Sequence, residues 1–186
     1  MRSRLFIVVI VFCVFFSCKK DERRNETEKI VAEWIGKKII FPLDYECNLM
    51  KKDTNLCAGL LDANYKILLY VDSLGCANCK LRLFEWKQLI QEADSIFTEN
   101  ELSFLFFFHP KDKKELRYLF VRYDFDYPVF LDNTNQINSL NHFSNKQLYQ
   151  CFLLNKENKV MMIGNPLHNP GIWKIYKEQI SEKMDN

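Results

Sequence analysis

The chain has 186 residues, with 26 basic against 24 acidic side chains and a formal net charge of +2. That length suffices for one domain with a sizeable core plus a tail, and so even a balance gives no electrostatic case for a nucleic-acid partner. No repeat, low-complexity stretch, Walker, dinucleotide, Ser–His–Asp or EF-hand pattern is present, and phenylalanine, at 16 residues, is unusually frequent.

Met1-Arg-Ser-Arg4 followed by the apolar run Leu5 to Phe16 reads as the charged and apolar regions of an export signal. The run is too short to span a bilayer and ends at the small residue Ser17. Val14-Phe-Phe-Ser-Cys18 resembles a bacterial lipobox, in which the signal is cut before a cysteine that takes a lipid; Phe15 stands where that motif usually has Leu. The resemblance implies a signal peptide over residues 1–17, a lipidated Cys18 and polar tether over 18–27, and one domain over 28–186. An ordinary secretory signal and a buried helix are the alternatives. Lys19-Lys-Asp-Glu22 resembles the lysine-plus-acidic surface-export signals of some Gram-negative lipoproteins. The expected location is therefore the cell envelope of a Gram-negative-type bacterium, lipid-anchored and periplasmic or surface-facing. Cleavage removes Arg2 and Arg4 and leaves 24 basic and 24 acidic residues, so the lipid rather than charge would hold the chain to its membrane.

Cys13 leaves with the signal and Cys18 takes the lipid. Cys47, Cys57, Cys76, Cys79 and Cys151 remain, an odd count for an exported, oxidising compartment. From Glu28 to Gly36, Ile30, Val31, Trp34 and Ile35 share one helical face and Gly36 supplies the stop. Lys38 to Phe41 predicts a strand closed by Pro42. Residues 43–64 carry no clear period. Cys47 and Cys57 flank Lys51-Lys-Asp-Thr-Asn55, read as a hairpin turn, and either form a local disulfide or stay unpaired as two small core residues. Lys66 to Val71 is nearly all apolar and reads as a buried strand, broken by Asp72, Ser73 and Gly75. From Cys76 to about Phe97, Leu81, Phe84, Leu89, Ile90, Ala93, Ile96 and Phe97 recur at helical spacing.

Leu102 to Phe108 is a continuous apolar run typical of a strand covered on both faces, ended by His109-Pro110. Lys111 to Tyr123 reads as a helix burying Leu116, Leu119, Phe120 and Tyr123, Tyr127 to Leu131 as a third central strand, and Gln136 to Phe143 as a short helix. Cys151 to Leu154, the polar turn Asn155 to Asn158, and Lys159 to Ile163 form a hairpin. Pro170 to Ile180 closes the chain as a helix with Ile172, Trp173, Tyr176 and Ile180 inward. Such alternation predicts an α/β fold with a central mixed sheet and helices on both faces. His109 reads as a strand terminator, His142 and His168 as surface or loop residues, and Phe104–Phe108 as core rather than a cofactor pocket. Cys151 reads as a small buried strand residue, with a third redox thiol as the sharper alternative.

Cys76-Ala-Asn-Cys79 falls where a strand ends and a helix begins. Unsatisfied backbone N–H groups and the helix dipole there favour a thiolate on the first sulfur; Lys80 and Arg82 add positive potential and Asp72 opposes it. In this reading Cys76 attacks a partner disulfide and Cys79 resolves the mixed disulfide, with water or Asp72 moving the proton. Structural zinc asks for four ligands, and no second CxxC or CxxH pair exists. A copper site asks for soft thiolates plus a histidine, and none of the three histidines lies in or directly beside the Phe152–Ile163 hairpin. No metal or cofactor is expected.

The order of elements, with CxxC at the start of the first central helix, resembles the thioredoxin fold. More narrowly it is similar to the TlpA-like and peroxiredoxin-like branch of exported and membrane-anchored thiol proteins. Ile67 to Cys79, Tyr127-Pro-Val-Phe-Leu-Asp-Asn133 and Phe152-Leu-Leu-Asn-Lys-Glu-Asn-Lys-Val160 carry the likeness, which covers about residues 38 to 182. It implies a thiol–disulfide oxidoreductase; the expectation for this chain is a reductase acting on thiols and disulfides of other exported proteins and kept reduced by a membrane electron donor. The chain departs from that pattern at four places. Tyr149, with Gln150 next, occupies the position of the family's cis-proline, and a non-proline cis bond costs about 3 kcal/mol, so a trans loop is expected. Tyr70 stands where thioredoxins bury an acid, Gly75 where an aromatic precedes the first cysteine, and Phe84 where a proline kinks the helix. The rival reading is a thioredoxin-fold lipoprotein that binds a partner without turnover, with a copper chaperone as a further one.

Overall fold

A computed structural model describes residues 25–43, 45–47, 55–72 and 81–184. The chain divides into two compact units, Met1–Ile35 and Gly36–Asn186. In the first, residues 25–34 are helical, which includes residues 25–27 ahead of the expected Glu28.

In the second unit six described strands form one mixed sheet: β1 (Glu46–Cys47), β2 (Tyr65–Val71), β3 (Leu102–Phe108), β4 (Val129–Leu131), β5 (Cys151–Leu154) and β6 (Val160–Ile163). Their order is β1-β4-β3-β2-β5-β6. β2, β3 and β4 run parallel, β1 and β5 join their outer edges antiparallel, and β6 completes a hairpin with β5. The described helices are α1 (Asn55–Asp62), α2 (Leu83–Asp94), α3 (Lys113–Arg122), α4 (Gln136–Asn141) and α5 (Pro170–Met184).

Every residue of β2 and β3 is buried, as expected of nearly all-apolar strands covered on both sides, and Lys66 and Ser103 are buried with the rest. Side-chain alternation divides them. One face carries Ile67, Leu69, Phe104, Phe106 and Cys151 into a core with Trp86 and Ile90 of α2, Leu116 and Phe120 of α3, and Trp173 and Tyr176 of α5. The other carries the aligned row Tyr70, Phe107, Phe130 and Cys47. There Phe107 and Phe130 stack at 4.4 Å between ring centres, with Phe41 and Tyr45 against them, and Tyr70 stacks on Phe143 at 4.9 Å. The abundance of phenylalanine thus builds two aromatic layers, one on each side of the sheet.

Three expectations are corrected. Lys38–Phe41 is not a strand: only the bridge Lys38–Lys159 forms. The Asn141 side chain takes the place of a second neighbour, accepting from Ile40 N at 2.9 Å and donating to Ile40 O at 2.8 Å. Cys47 and Cys57 do not face each other across a hairpin, because Cys57 lies on α1; they are joined as a disulfide with Cα atoms 6.0 Å apart. The helix expected unbroken to Phe97 has Arg82 at φ 42° and ends at Asp94, and Phe84, placed on its apolar face by spacing, is exposed.

Lys66 is fully buried on the sheet face that carries Tyr70. Its ammonium donates to the carbonyls of Ala63 at 3.0 Å, just beyond α1, and of Lys156 at 3.2 Å, in the hairpin turn. Burial pulls its pKa from 10.5 down to about 8, against the opposing pull of Asp62 and Glu157. Between these values the unfolded chain holds more protons than the folded one, so stability rises with pH through this window. The gain is complete above the unfolded value and is lost as pH falls through about 8. Lys66→Met is expected to flatten the rise by roughly 1–2 kcal/mol between about pH 7.5 and 9.5, read from denaturant midpoints. An unchanged slope would contradict the assignment.

Candidate functional site

The parallel strands end together. Val71 passes to Asp72, Phe108 to His109 and Leu131 to Asp132, and crevices outside the carboxyl ends of parallel strands are where α/β sheets bind ligands. Cross-bonds fasten this rim: His109 N donates to Val71 O, and Asp132 N to Phe108 O, each at 2.9 Å. The Asp132 carboxylate is buried and accepts from Gln136 N at 2.9 Å and Ile137 N at 2.7 Å, which secures α4 beyond β4.

Cys76 and Cys79 belong to the connection 73–80 between this rim and α2, which lies outside the described residues, as does Cys18. The flanks of that connection are described. Asp72 is half-buried before it, and Leu81 is buried after it. Arg82 follows in a left-handed conformation, where its guanidinium donates to Leu167 O at 2.8 Å and pairs with Glu85 at 3.2 Å. These two partners compensate a backbone conformation that costs a non-glycine residue roughly 1–2 kcal/mol. The positive charge assigned to Arg82 at the helix mouth is therefore partly committed to Glu85.

Tyr149 ends a short 3-10 turn, Gln147–Tyr149, and is buried. No cis peptide bond occurs among the described residues, so the trans loop expected at the position of the family's proline is what is found. Gln150 O accepts from Tyr70 N at 3.0 Å, which brings the start of β5 to the end of β2. Cys151, opposite Leu69, is fully buried in the face holding α2 and α5, and burial pushes its thiol pKa far up. Such a thiol is a poor nucleophile, and its placement matches the small-core-residue reading. Tyr70, in place of a buried acid, donates to Asn135 Oδ1 at 2.8 Å, and burial raises its phenol pKa to about 12. It takes no proton at neutral pH.

Two cavities open on the rim, and Asp72 and His109 line both. The smaller, about 60 Å³, reaches Leu81, Phe108 and Leu116. The larger, about 210 Å³, is polar and lies between Tyr70, Asn135, Asn138 and Gln150. His109, a strand terminator by sequence, does end β3, but its Nδ1 lies 2.9 Å from Asp132 O, so that nitrogen carries the hydrogen, and in the neutral ring Nε2 is left to accept. No sequence signal marks this; it depends on β3 and β4 ending side by side. His142 caps α4 on the surface and His168 is exposed. Among the described residues no group of three His, Cys, Asp or Glu could hold a metal ion, and no helix is long and apolar enough to cross a membrane.

No protein-family model and no curated protein matches the chain. Solved structures do. Peroxiredoxin Q of Xanthomonas campestris aligns with a TM-score of 0.52 at 14% identity, covering 74% of this chain and 91% of that one. PrxQ of Xylella fastidiosa aligns with a TM-score of 0.52 at 13% identity, covering 81% and 95%. A thioredoxin-like protein from Bacteroides caccae aligns with a TM-score of 0.50 at 17% identity; 86% of this chain is covered, which spans 55% of that longer one. Together with the sheet order, these likenesses show a thioredoxin-like α/β fold.

Proposed function

We propose that the chain is an exported, lipid-anchored thiol–disulfide oxidoreductase acting through Cys76 and Cys79, and that it works as a reductase of other exported proteins supplied by a membrane electron donor. The observation that carries this reading is the junction at which the motif stands. The connection 73–80 leaves the end of the central parallel strand β2 and leads into α2, which packs on that strand's face in a thioredoxin-like fold. A dithiol at the start of a helix, as the sequence places Cys76, would have its first sulfur favoured as thiolate by the dipole and by unpaired N–H groups; the described α2 begins later, at Leu83 after Arg82. In the exchange step the Cys76 thiolate attacks one sulfur of the partner's disulfide and releases the other as a thiolate. Cys79, deprotonated, then attacks the Cys76 sulfur, frees the partner's second thiol and leaves Cys76–Cys79 oxidised. A membrane donor returns two electrons. Cys18 holds the chain to the membrane through its lipid, and Cys47–Cys57 is a structural bridge, since Cys57 is fully buried.

The two dithiols separate experimentally. Cys47→Ala/Cys57→Ala is expected to retain the rate of protein-disulfide reduction per folded molecule, and Cys76→Ser/Cys79→Ser to lose it. Loss in the first variant alone would move the chemistry to the other pair. A wild-type chain that exchanges with neither glutathione nor a protein disulfide would leave the rival reading, a binding lipoprotein without turnover.

A further inference from the structure

We infer that the larger rim cavity is a subsite for a carboxamide, the side chain of an asparagine or glutamine in an extended partner polypeptide. This rests on the oxidoreductase reading for its link to substrate, but the cavity stands on its own geometry. At about 210 Å³ it is smaller than pockets that enclose a cofactor or drug-sized ligand and suits one side chain.

Its hydrogen-bond polarity is set by backbone partners. Asn138 Oδ1 accepts from Phe143 N at 2.9 Å, so its Nδ2 is a donor. Gln150, buried to 2% exposure, donates Nε2 to Ser144 O at 2.8 Å, so its Oε1 is an acceptor. His109 Nδ1 is committed to Asp132 O, so Nε2 accepts. None of these three remaining atoms has a partner among the described residues. Asp72 adds the one carboxylate of the described lining. Asn135 Oδ1 accepts from the Tyr70 hydroxyl, so its Nδ2 is a second donor, and the cavity thus offers amide donors from Asn138 and Asn135 beside the acceptors of Gln150 and His109. A primary carboxamide, with one carbonyl and two N–H groups, is the complement of that set. A carboxylate would meet Asp72 and two further acceptors. An ammonium would leave the Asn138 donor unanswered, and an apolar side chain would leave every group unpaired.

The probes are blocked, cysteine-free tripeptides with Gln, Leu, Glu or Lys between two glycines, titrated into the full chain and followed by the NMR signals of the Asn138 and Gln150 side-chain amides and the His109 ring. The Gln peptide is expected to shift all three, and the Leu and Glu peptides not. N138D keeps an oxygen for Phe143 N but turns the donor into an acceptor, so it should lose the response to Gln and gain one to Lys. In a parallel arm, a disulfide peptide with Gln beside the half-cystine should exchange about tenfold faster in kcat/KM than its Leu counterpart. Equal shifts with all four peptides, no shifts, or an N138D variant that still prefers Gln would overturn the subsite. Shifts without any exchange would overturn the oxidoreductase reading and leave the subsite standing. Exchange that ignores Gln, with no shifts, would do the reverse.

Discussion

Cys76→Ser is expected to lower disulfide exchange by about 10³-fold or more, and Cys79→Ser to keep the first attack but stall after it. The asymmetry follows from order along the chain. In the proposed mechanism the first cysteine is the attacking thiolate, and a serine hydroxyl in its place is not ionised at neutral pH. The second cysteine acts later, reaching the Cys76 sulfur and displacing the partner. Without it the mixed disulfide has only external thiols to resolve it, so turnover stops with one partner bound per chain. A wild-type-like rate in Cys76→Ser would remove the mechanism, whatever became of the fold.

Removal of the Cys47–Cys57 bridge is the second large effect, and it falls on stability. The bridge joins residues 10 apart in sequence and ties edge strand β1 to α1. Closing a loop of that length restricts the unfolded chain by about 2–3 kcal/mol, so Cys47→Ala/Cys57→Ala should lower Tm by about 5–10 °C. The tie matters because β1 is two residues long and, among the described strands, pairs with β4 alone. Its other anchor is the Glu46 carboxylate, which accepts from Lys113 at 2.8 Å and from Asn133 at 2.9 Å. The Lys113 ammonium holds the pKa of Glu46 below the ordinary carboxylate range. Acidification should therefore loosen this edge further as Glu46 protonates, and more so in the bridge-free variant. A double variant that melts with the wild type would show that the bridge is not a staple and reopen it as a redox pair.

The central layers are legible in the sequence because burial on both faces leaves nearly continuous apolar runs, as in Tyr65–Val71 and Leu102–Phe108, and because Asn155–Asn158 is turn chemistry between two such runs. The disulfide-bonded region is not. β1 and α1 are short, and their stability comes from a bond between residues whose pairing spacing alone leaves open. Lys38–Phe41 has the composition of a strand, but its second neighbour is a single asparagine side chain about a hundred residues away, which no local pattern announces. Lys66 reads as part of an apolar run, without any sign that two carbonyls meet its ammonium. The candidate site divides in the same way. The dithiol motif is visible in sequence, though its placement lies outside the described residues, whereas the polar cavity gathers Asp72, His109, Asn138 and Gln150 from four separate segments. His109 in particular takes its meaning from the Asp132 carbonyl at the end of the next strand.

In the proposed mechanism Cys76 is the sulfur that meets the partner. The most direct test is to expose the Cys79→Ser chain to a disulfide-bonded exported protein and locate the trapped adduct by peptide mapping. A single mixed disulfide on Cys76 is expected, with Cys151 unmodified in its core and Cys47–Cys57 intact. An adduct on Cys47, Cys57 or Cys151, or none at all, would contradict it.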